Sequence, residues 1–246
     1  MSVKRQRADI ALVERGLVES RARAQAVILA GLVFSGERRI DKAGAPIAAD
    51  QQLELRGRDH PWVSRGGLKL DHALGAFAID VAGAVAIDVG ASTGGFTDVL
   101  LARGAARVHA VDVGHGQLAW KLRQDPRVVV HEKTNARHLD RALIPDAVDI
   151  VVCDASFIGL EAVLPAALEL ARPGAWLVAL IKPQFEVGPA RVGKGGVVRD
   201  PALHAEVCDR IAAWLPGRGW RVAGIAQSPI LGPEGNKEFL IAARKD

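Results

Sequence analysis

Four charged residues stand where a charge is costly or must be matched. Asp154 ends the apolar run "VDIVVCDAS" and Lys182 ends "AWLVALIKP". Both runs read as buried strands, so each charge directly follows a segment that seeks the core. Glu238 opens the apolar run "KEFLIAARK", and Lys69 lies in "SRGGLKLDHAL", which reads as a helix. In an open α/β sheet, ligands bind beyond the carboxyl ends of the strands. Asp154 and Lys182 fall at those ends of the fourth and fifth strands. Glu238 reaches the same edge if the last strand runs antiparallel, and Lys69 arrives from a helix before the first strand. Two lysines and two carboxylates in one cleft suit removal of a proton from an alcohol. A lysine is a base only as the amine, a form that an ordinary side chain with a pKa of about 10.4 holds roughly one time in a thousand near neutral pH. Burial and a second ammonium favour the amine, and adjacent carboxylates oppose it. On this reading Lys182 is the base, Lys69 contributes positive charge, and Asp154 and Glu238 orient the ammoniums and the hydroxyl.

A second constellation precedes these. "IDVGASTGGFTDVLL" follows the first strand and opens a helix. Gly90, Gly94 and Gly95 let the backbone turn tightly and approach a ligand. Ser92 stands where a middle glycine would, so the loop is not a true G-x-G-x-x-G, and a plain tight turn is the simpler alternative. Asp112 ends the second strand, "VHAVDVG", where an acidic residue would bind ribose hydroxyls, and Asp88 adds a carboxylate at the tip of the first. The candidate cofactor set is Asp88, Gly90, Ser92, Gly94, Gly95, Phe96, Asp112 and Asp154. No Walker lysine follows the glycines, which argues against a P-loop. A dinucleotide and S-adenosylmethionine remain, and an antiparallel closing hairpin favours the second by analogy of fold. No metal-ligating set is read. Cys153 suggests a thiolate adding to a pyrimidine ring, but it precedes Asp154 by one strand residue and so faces the other side of the sheet. Amino-group methylation calls for a proline-rich aromatic turn that "DASF" lacks.

From about residue 66 the chain alternates strand and helix. Strands are expected at "AVAIDVG", "RVHAVDVG", "RVVVHEK", "VDIVVCDAS" and "AWLVALIKP", with helices around 95–103, 116–124, 159–171 and 200–215. "WRVAGIAQSPI" and "KEFLIAARK" are joined too closely for a helix and pair antiparallel. The fold class is α/β: a doubly wound, Rossmann-like sheet closed by a hairpin, preceded by a small α+β domain. In that first segment "ADIALVER" stops at Gly16, "SRARAQAVILAG" runs from the N-cap Ser20 to Gly31, and short strands follow at "LVFS" and "QQLELR". "GERRIDKAGAPIAAD" reads as turns. The expected domains are 1–59 and 66–246, with a linker at 60–65.

Across 246 residues the net charge is only +4, yet residues 1–65 hold 12 Lys/Arg against 8 Asp/Glu while the remainder balances. A basic appendage beside a neutral body points to a polyanion, most simply nucleic acid, with a solvated surface as the alternative. The two cysteines, Cys153 and Cys208, are too few for a disulfide framework, and no apolar run approaches the ~20 residues of a membrane span, so a cytoplasmic protein is expected.

Six ordered motifs, "VSRGGLKL", "DVGASTGGFTD", "CDASFIGL", "IKPQFE", "GKGGVVRD" and "GNKEF", closely resemble the bacterial TlyA family of ribosomal RNA 2′-O-methyltransferases, whose catalytic body is FtsJ-like. The resemblance covers essentially the whole chain. It implies a Lys-Asp-Lys-Glu tetrad at Lys69, Asp154, Lys182 and Glu238. The implied reaction is methyl transfer from S-adenosylmethionine to the ribose 2′-oxygen of cytidines in small- and large-subunit ribosomal RNA. The segment "RADIALVERGLVESRARAQAVILAGLV" resembles the RNA-binding domain named after ribosomal protein S-four, with Ala8 in place of a usual leucine and "FSGERRIDKAG" departing from the usual strand and turn. Arg7, Arg21 and Arg23 are its expected phosphate contacts, joined by Arg65 and by Arg191, Lys194 and Arg199 from a glycine-rich loop. The expected partner is ribosomal RNA within ribosomal subunits. A monomer is compatible with the sequence, which leaves the oligomeric state open. Two other readings stand beside this one: an RNA-binding ribosome assembly factor without turnover, and a haemolysin, the label some family members carry. For the last, no spanning segment or barrel-like strand alternation is read.

Overall fold

The computed structural model describes residues 5–18, 20–29, 31–56 and 60–246, apart from the side chain of Pro233. It divides into two compact units, Met1–Pro61 and Trp62–Asp246.

In the first unit, helices α1 (Ala8–Glu14) and α2 (Arg21–Leu29) pack together. Gly16 and Gly31 follow them in the left-handed region, φ +67° and +71°, and Ser20 Oγ accepts the Arg23 N–H at 3.2 Å as an N-cap should. The strands are short: β1 (Arg5–Arg7), β2 (Val33–Ser35), β3 (Arg38–Arg39), β4 (Pro46–Ala48) and β5 (Glu54–Leu55). β1 pairs with β4, and β2 lies between β3 and β5, all antiparallel. The segment expected to be turns thus holds β3 and β4. β1 is polar and gives no apolar alternation to read. Ala8, Leu12, Ala24, Ile28, Val33 and Ile47 form the heart of a small core.

The second unit begins with α3 (Gly66–Ala76), then β6 (Val85–Val89), α4 (Gly95–Ala102), β7 (Arg107–Val111), α5 (Trp120–Arg123), β8 (Val128–His131) and β9 (Val148–Cys153). After these come α6 (Leu160–Val163), α7 (Pro165–Leu170), β10 (Ala171–Ile181), α8 (Pro183–Glu186), α9 (Pro201–Trp214), β11 (Trp220–Gln227) and β12 (Phe239–Lys245). Seven strands form one sheet in the order β11-β12-β10-β9-β6-β7-β8, with β12 antiparallel to both neighbours and β6–β10 mutually parallel. Apolar clusters cover both faces, which is why the central strands carry almost no polar residues. The helix expected over 159–171 is two, divided before Pro165, whose ring occupies the first turn of α7. The helix expected at 116–124 keeps only its last turn. The expected linker 60–65 also changes. Trp62 and Val63 pack on the second unit's core, and the Val63 N–H donates to Asp98 at 2.8 Å. Gly67 leaves room for the indole, since a Cβ there would lie 2.4 Å from Trp62 Cγ. Among the described residues no helix is long and apolar enough to cross a membrane.

Candidate active site

The sheet register brings the charged strand ends together. Ala179 pairs with Cys153 and Ile181 with Phe239, so Asp154, Lys182 and Glu238 each occupy the position just beyond a paired residue or just before one, at one edge. Lys69 reaches them from the first turn of α3. Its Nζ lies 2.6 Å from Glu238 Oε2 and 3.7 Å from Asp154 Oδ2, while Lys182 Nζ lies 2.6 Å from Asp154 Oδ1. Asp154 therefore bridges the two ammoniums, one per oxygen, and Glu238 pairs with Lys69 alone. Lys69, Lys182 and Glu238 are buried, whereas a fifth of the Asp154 side chain is exposed, so the site opens past Asp154. Buried charges persist only when paired in this way. Lys182 Nζ also donates to the Asp154 carbonyl at 3.0 Å and to Ser156 Oγ at 2.9 Å.

Glycines let the surrounding segments meet. A Cβ on Gly90 would lie 2.9 Å from the Ala155 backbone, and one on Gly95 would lie 2.4 Å from Ser64 Oγ and 2.8 Å from Gly67 N. The glycine turn, the end of β9 and the start of α3 are thus in direct contact. Gly90 and Gly94 also require φ of +81° and +95°, a region closed to most side chains. Gly94 faces Leu118 and Leu122, and the Phe96 side chain lies in the core, so only its backbone is left for a ligand. That differs from its expected role, because the first turn of α4 points Phe96 inward.

Asp88 is fully buried at the end of β6. Thr97 Oγ1 donates to its Oδ2 at 2.7 Å, and Oδ1 faces no donor. Burial pushes its carboxyl up to about 7; the Thr97 hydrogen bond opposes this, and nearby Asp154 adds to it. Asp112 accepts the Ser92 N–H at 2.8 Å and the Gly114 N–H at 2.7 Å, which shapes the turn and leaves its carboxylate partly exposed. Ser92, Asp112, Gln117, Leu118 and Glu132 line a groove beside it. Ser92 holds φ +48°, and Phe157, 89% exposed and 5.0 Å from the Phe185 ring centre, holds φ +64°. Strained non-glycine residues thus lie on both loops. Cys153 is buried, and burial pushes its thiol up to about 12, which removes the thiolate alternative.

The expected RNA-contacting residues divide. Arg7 and Arg21 both donate to Asp9, at 3.0 and 3.1 Å, as does Gln25; the Arg7 bond, chiefly, holds this buried carboxyl well below the usual range. Arg23 is half-buried. Arg191 pairs with Glu206 at 2.7 Å, while Arg65, Lys194 and Arg199 are exposed. Sequence reasoning missed Thr97, Gln117, Glu132 and Ser156. Thr97, directly after Phe96, and Ser156, two residues after Asp154, sat close enough to marked positions to be found.

The FtsJ-like methyltransferase model matches residues 62–245, nearly the whole second unit. The chain belongs to the FtsJ-like methyltransferase family. A Mycobacterium tuberculosis relative named 16S/23S rRNA (cytidine-2′-O)-methyltransferase TlyA is 50% identical over 98% of this chain and 90% of its own length. A solved structure from Streptococcus thermophilus, which carries a hemolysin label, is 42% identical with a TM-score of 0.78 and covers 99% of this chain and 90% of that one. An S-adenosylmethionine dependent methyltransferase from Mesorhizobium loti, 16% identical with a TM-score of 0.50 over 71% of this chain and 96% of that one, shares the fold alone. This FtsJ-like methyltransferase therefore carries three of its four charged residues at strand ends of a methyltransferase sheet and the fourth, Lys69, on the helix α3.

Proposed function

We propose that the chain transfers a methyl group from S-adenosylmethionine to the ribose 2′-oxygen of cytidines in small- and large-subunit ribosomal RNA, in the cytoplasm. The observation that carries this reading is the bridge of Asp154 between Lys69 and Lys182, next to the glycine turn. The tuberculosis relative's name supports the substrate. The donor fits the residues present: Asp88 Oδ1 is a buried acceptor without a donor, suited to an ammonium, and Asp112 is a partly exposed carboxylate suited to ribose hydroxyls. When bound, the donor supplies an electrophilic methyl group. Lys182 takes the 2′-proton at Nζ, Asp154 holds Nζ in place, and Lys69, secured by Glu238, keeps Asp154 aligned. Much of the remaining rate comes from holding oxygen and methyl carbon in line. The N-terminal unit binds RNA as an S-four-type domain, with Arg7, Arg21 and Arg23 on phosphates and Arg65, Arg191, Lys194 and Arg199 contributing from the second unit.

The test is methyl transfer from labelled donor to unmodified ribosomal subunits, with the product digested to nucleosides. Wild type is expected to yield 2′-O-methylcytidine, and Lys182→Ala to lose at least about a hundredfold in rate, the low end of general-base contributions. Donor binding without transfer to either subunit would instead support an assembly factor. Near-normal turnover by Lys182→Ala would remove the base assignment.

A further inference from the structure

The three contacts of Lys182 define a problem that the tetrad alone does not solve. An ammonium has three N–H donors; here the Asp154 carbonyl at 3.0 Å and Ser156 Oγ at 2.9 Å accept two of them, and a third oxygen, Asp154 Oδ1, lies 2.6 Å from Nζ as an ion-pair contact outside hydrogen-bond geometry. The neutral amine has two N–H groups and a lone pair, so one of the three oxygens must then face that lone pair. A carboxylate or a carbonyl oxygen facing it would only repel, since neither can donate. A serine hydroxyl can either accept or donate. Ser156 is also the exposed member of the three partners, while Lys182 itself is buried. The direction from Nζ to Ser156 therefore leads toward the open side of the site, from which an RNA hydroxyl must come.

We propose that Ser156 is a positioning residue that aims the Lys182 lone pair: its hydroxyl accepts from the ammonium, donates to the amine, and yields its place to the incoming ribose hydroxyl. This rests on Lys182 being the base. In the step so served, the 2′-O–H bond breaks and an N–H bond forms on Nζ. The 2′-oxygen electron pair forms the new bond to the methyl carbon, and the C–S electron pair stays on sulfur. The new N–H again has Ser156 Oγ as its acceptor once the methylated ribose departs.

Single-turnover methyl transfer to ribosomal subunits, followed from about pH 6 to about pH 9, tests this with wild type, Ser156→Ala, Ser156→Thr and Lys182→Ala. Ser156→Ala is expected to lower the plateau rate roughly tenfold while leaving donor affinity unchanged. Hydrogen bonds to charged groups outweigh neutral ones, so losing this one should move the acid limb roughly half a unit to one unit lower. Ser156→Thr, which keeps the hydroxyl, should restore both. A wild-type profile from Ser156→Ala overturns the proposal. So does a rate loss with an unmoved limb that Ser156→Thr fails to repair, which marks mere packing. Near-normal turnover by Lys182→Ala, or no 2′-O-methylcytidine from wild type, instead strikes the underlying base or reaction assignment, whatever Ser156→Ala does.

Discussion

Asp88 spends one oxygen on Thr97 and leaves the other without a donor, in a fully buried position. Its carboxyl, raised to about 7 by burial, holds its proton in the folded protein well above the 3.8 at which it would ionise unfolded. The folded state therefore binds more protons between those values. This group's contribution to stability is greatest at low pH, declines as pH rises through that window and levels off above about 7. A cationic ligand at Oδ1 reverses the preference by requiring the carboxylate, so binding it releases a proton below pH 7. Affinity for S-adenosylmethionine is then expected to climb up to about tenfold per pH unit below pH 7 and to flatten above it. Titration calorimetry at several pH values checks this. Asp88→Asn should bind more weakly with no such slope, and a flat wild-type profile would separate Asp88 from the donor's ammonium.

At the scale of elements, the loops before and after the sheet edge hold the charges by close contact rather than by hydrogen bonds alone. Gly232 abuts Glu238 so closely that a Cβ would lie 2.2 Å from Oε1. In Gly232→Ala either the loop or that carboxylate must shift, and a shift of the carboxylate strains its pair with Lys69 through Oε2. Overpacking of this kind costs about 1–3 kcal/mol, so the melting temperature should drop by several degrees and the methylation rate by roughly tenfold or more, with donor affinity kept. A variant with wild-type turnover would show that Glu238 tolerates the shift. These contacts also explain what the sequence could reveal. Asp154 and Lys182 were legible because buried strands such as "DIVVC" and "LVALI" announce themselves by composition, and a charge at their end has to be accounted for. The helix expected around 200–215 is α9, and the structure adds its cap: Asp200, just before Pro201, accepts the Ala202 N–H through its side chain. The turn at Phe157 was not legible, since no spacing encodes a phenylalanine at φ +64°. Nor was β1, whose "RQR" is held by pairing with β4 and not by apolar burial of its own.

For the molecule as a whole, the excess positive charge lies in residues 1–65, but charge count is not the same as charge offered. Arg7 and Arg21 share Asp9, and Arg191 faces Glu206, whereas Lys194 and Arg199 are exposed. If the last two meet phosphates, Lys194→Ala and Arg199→Ala should each flatten the log–log salt dependence of ribosomal subunit binding by roughly 0.7–0.9, and Arg191→Ala by less. Equal slopes in filter-binding titrations would take the 193–199 loop out of the RNA interface.

The position of β12 has a consequence in time. It is made after β11 yet lies inside the sheet, between β10 and β11, and the residue just before it is Glu238. During synthesis, β11 has no strand to pair with and the slot beside β10 stays empty until β12 emerges, and until then Lys69 lacks its closest carboxylate. The long-range pairing that fills the slot is also the event that completes the tetrad. A growing chain of this protein thus gains its full set of site residues only in the step that finishes its sheet.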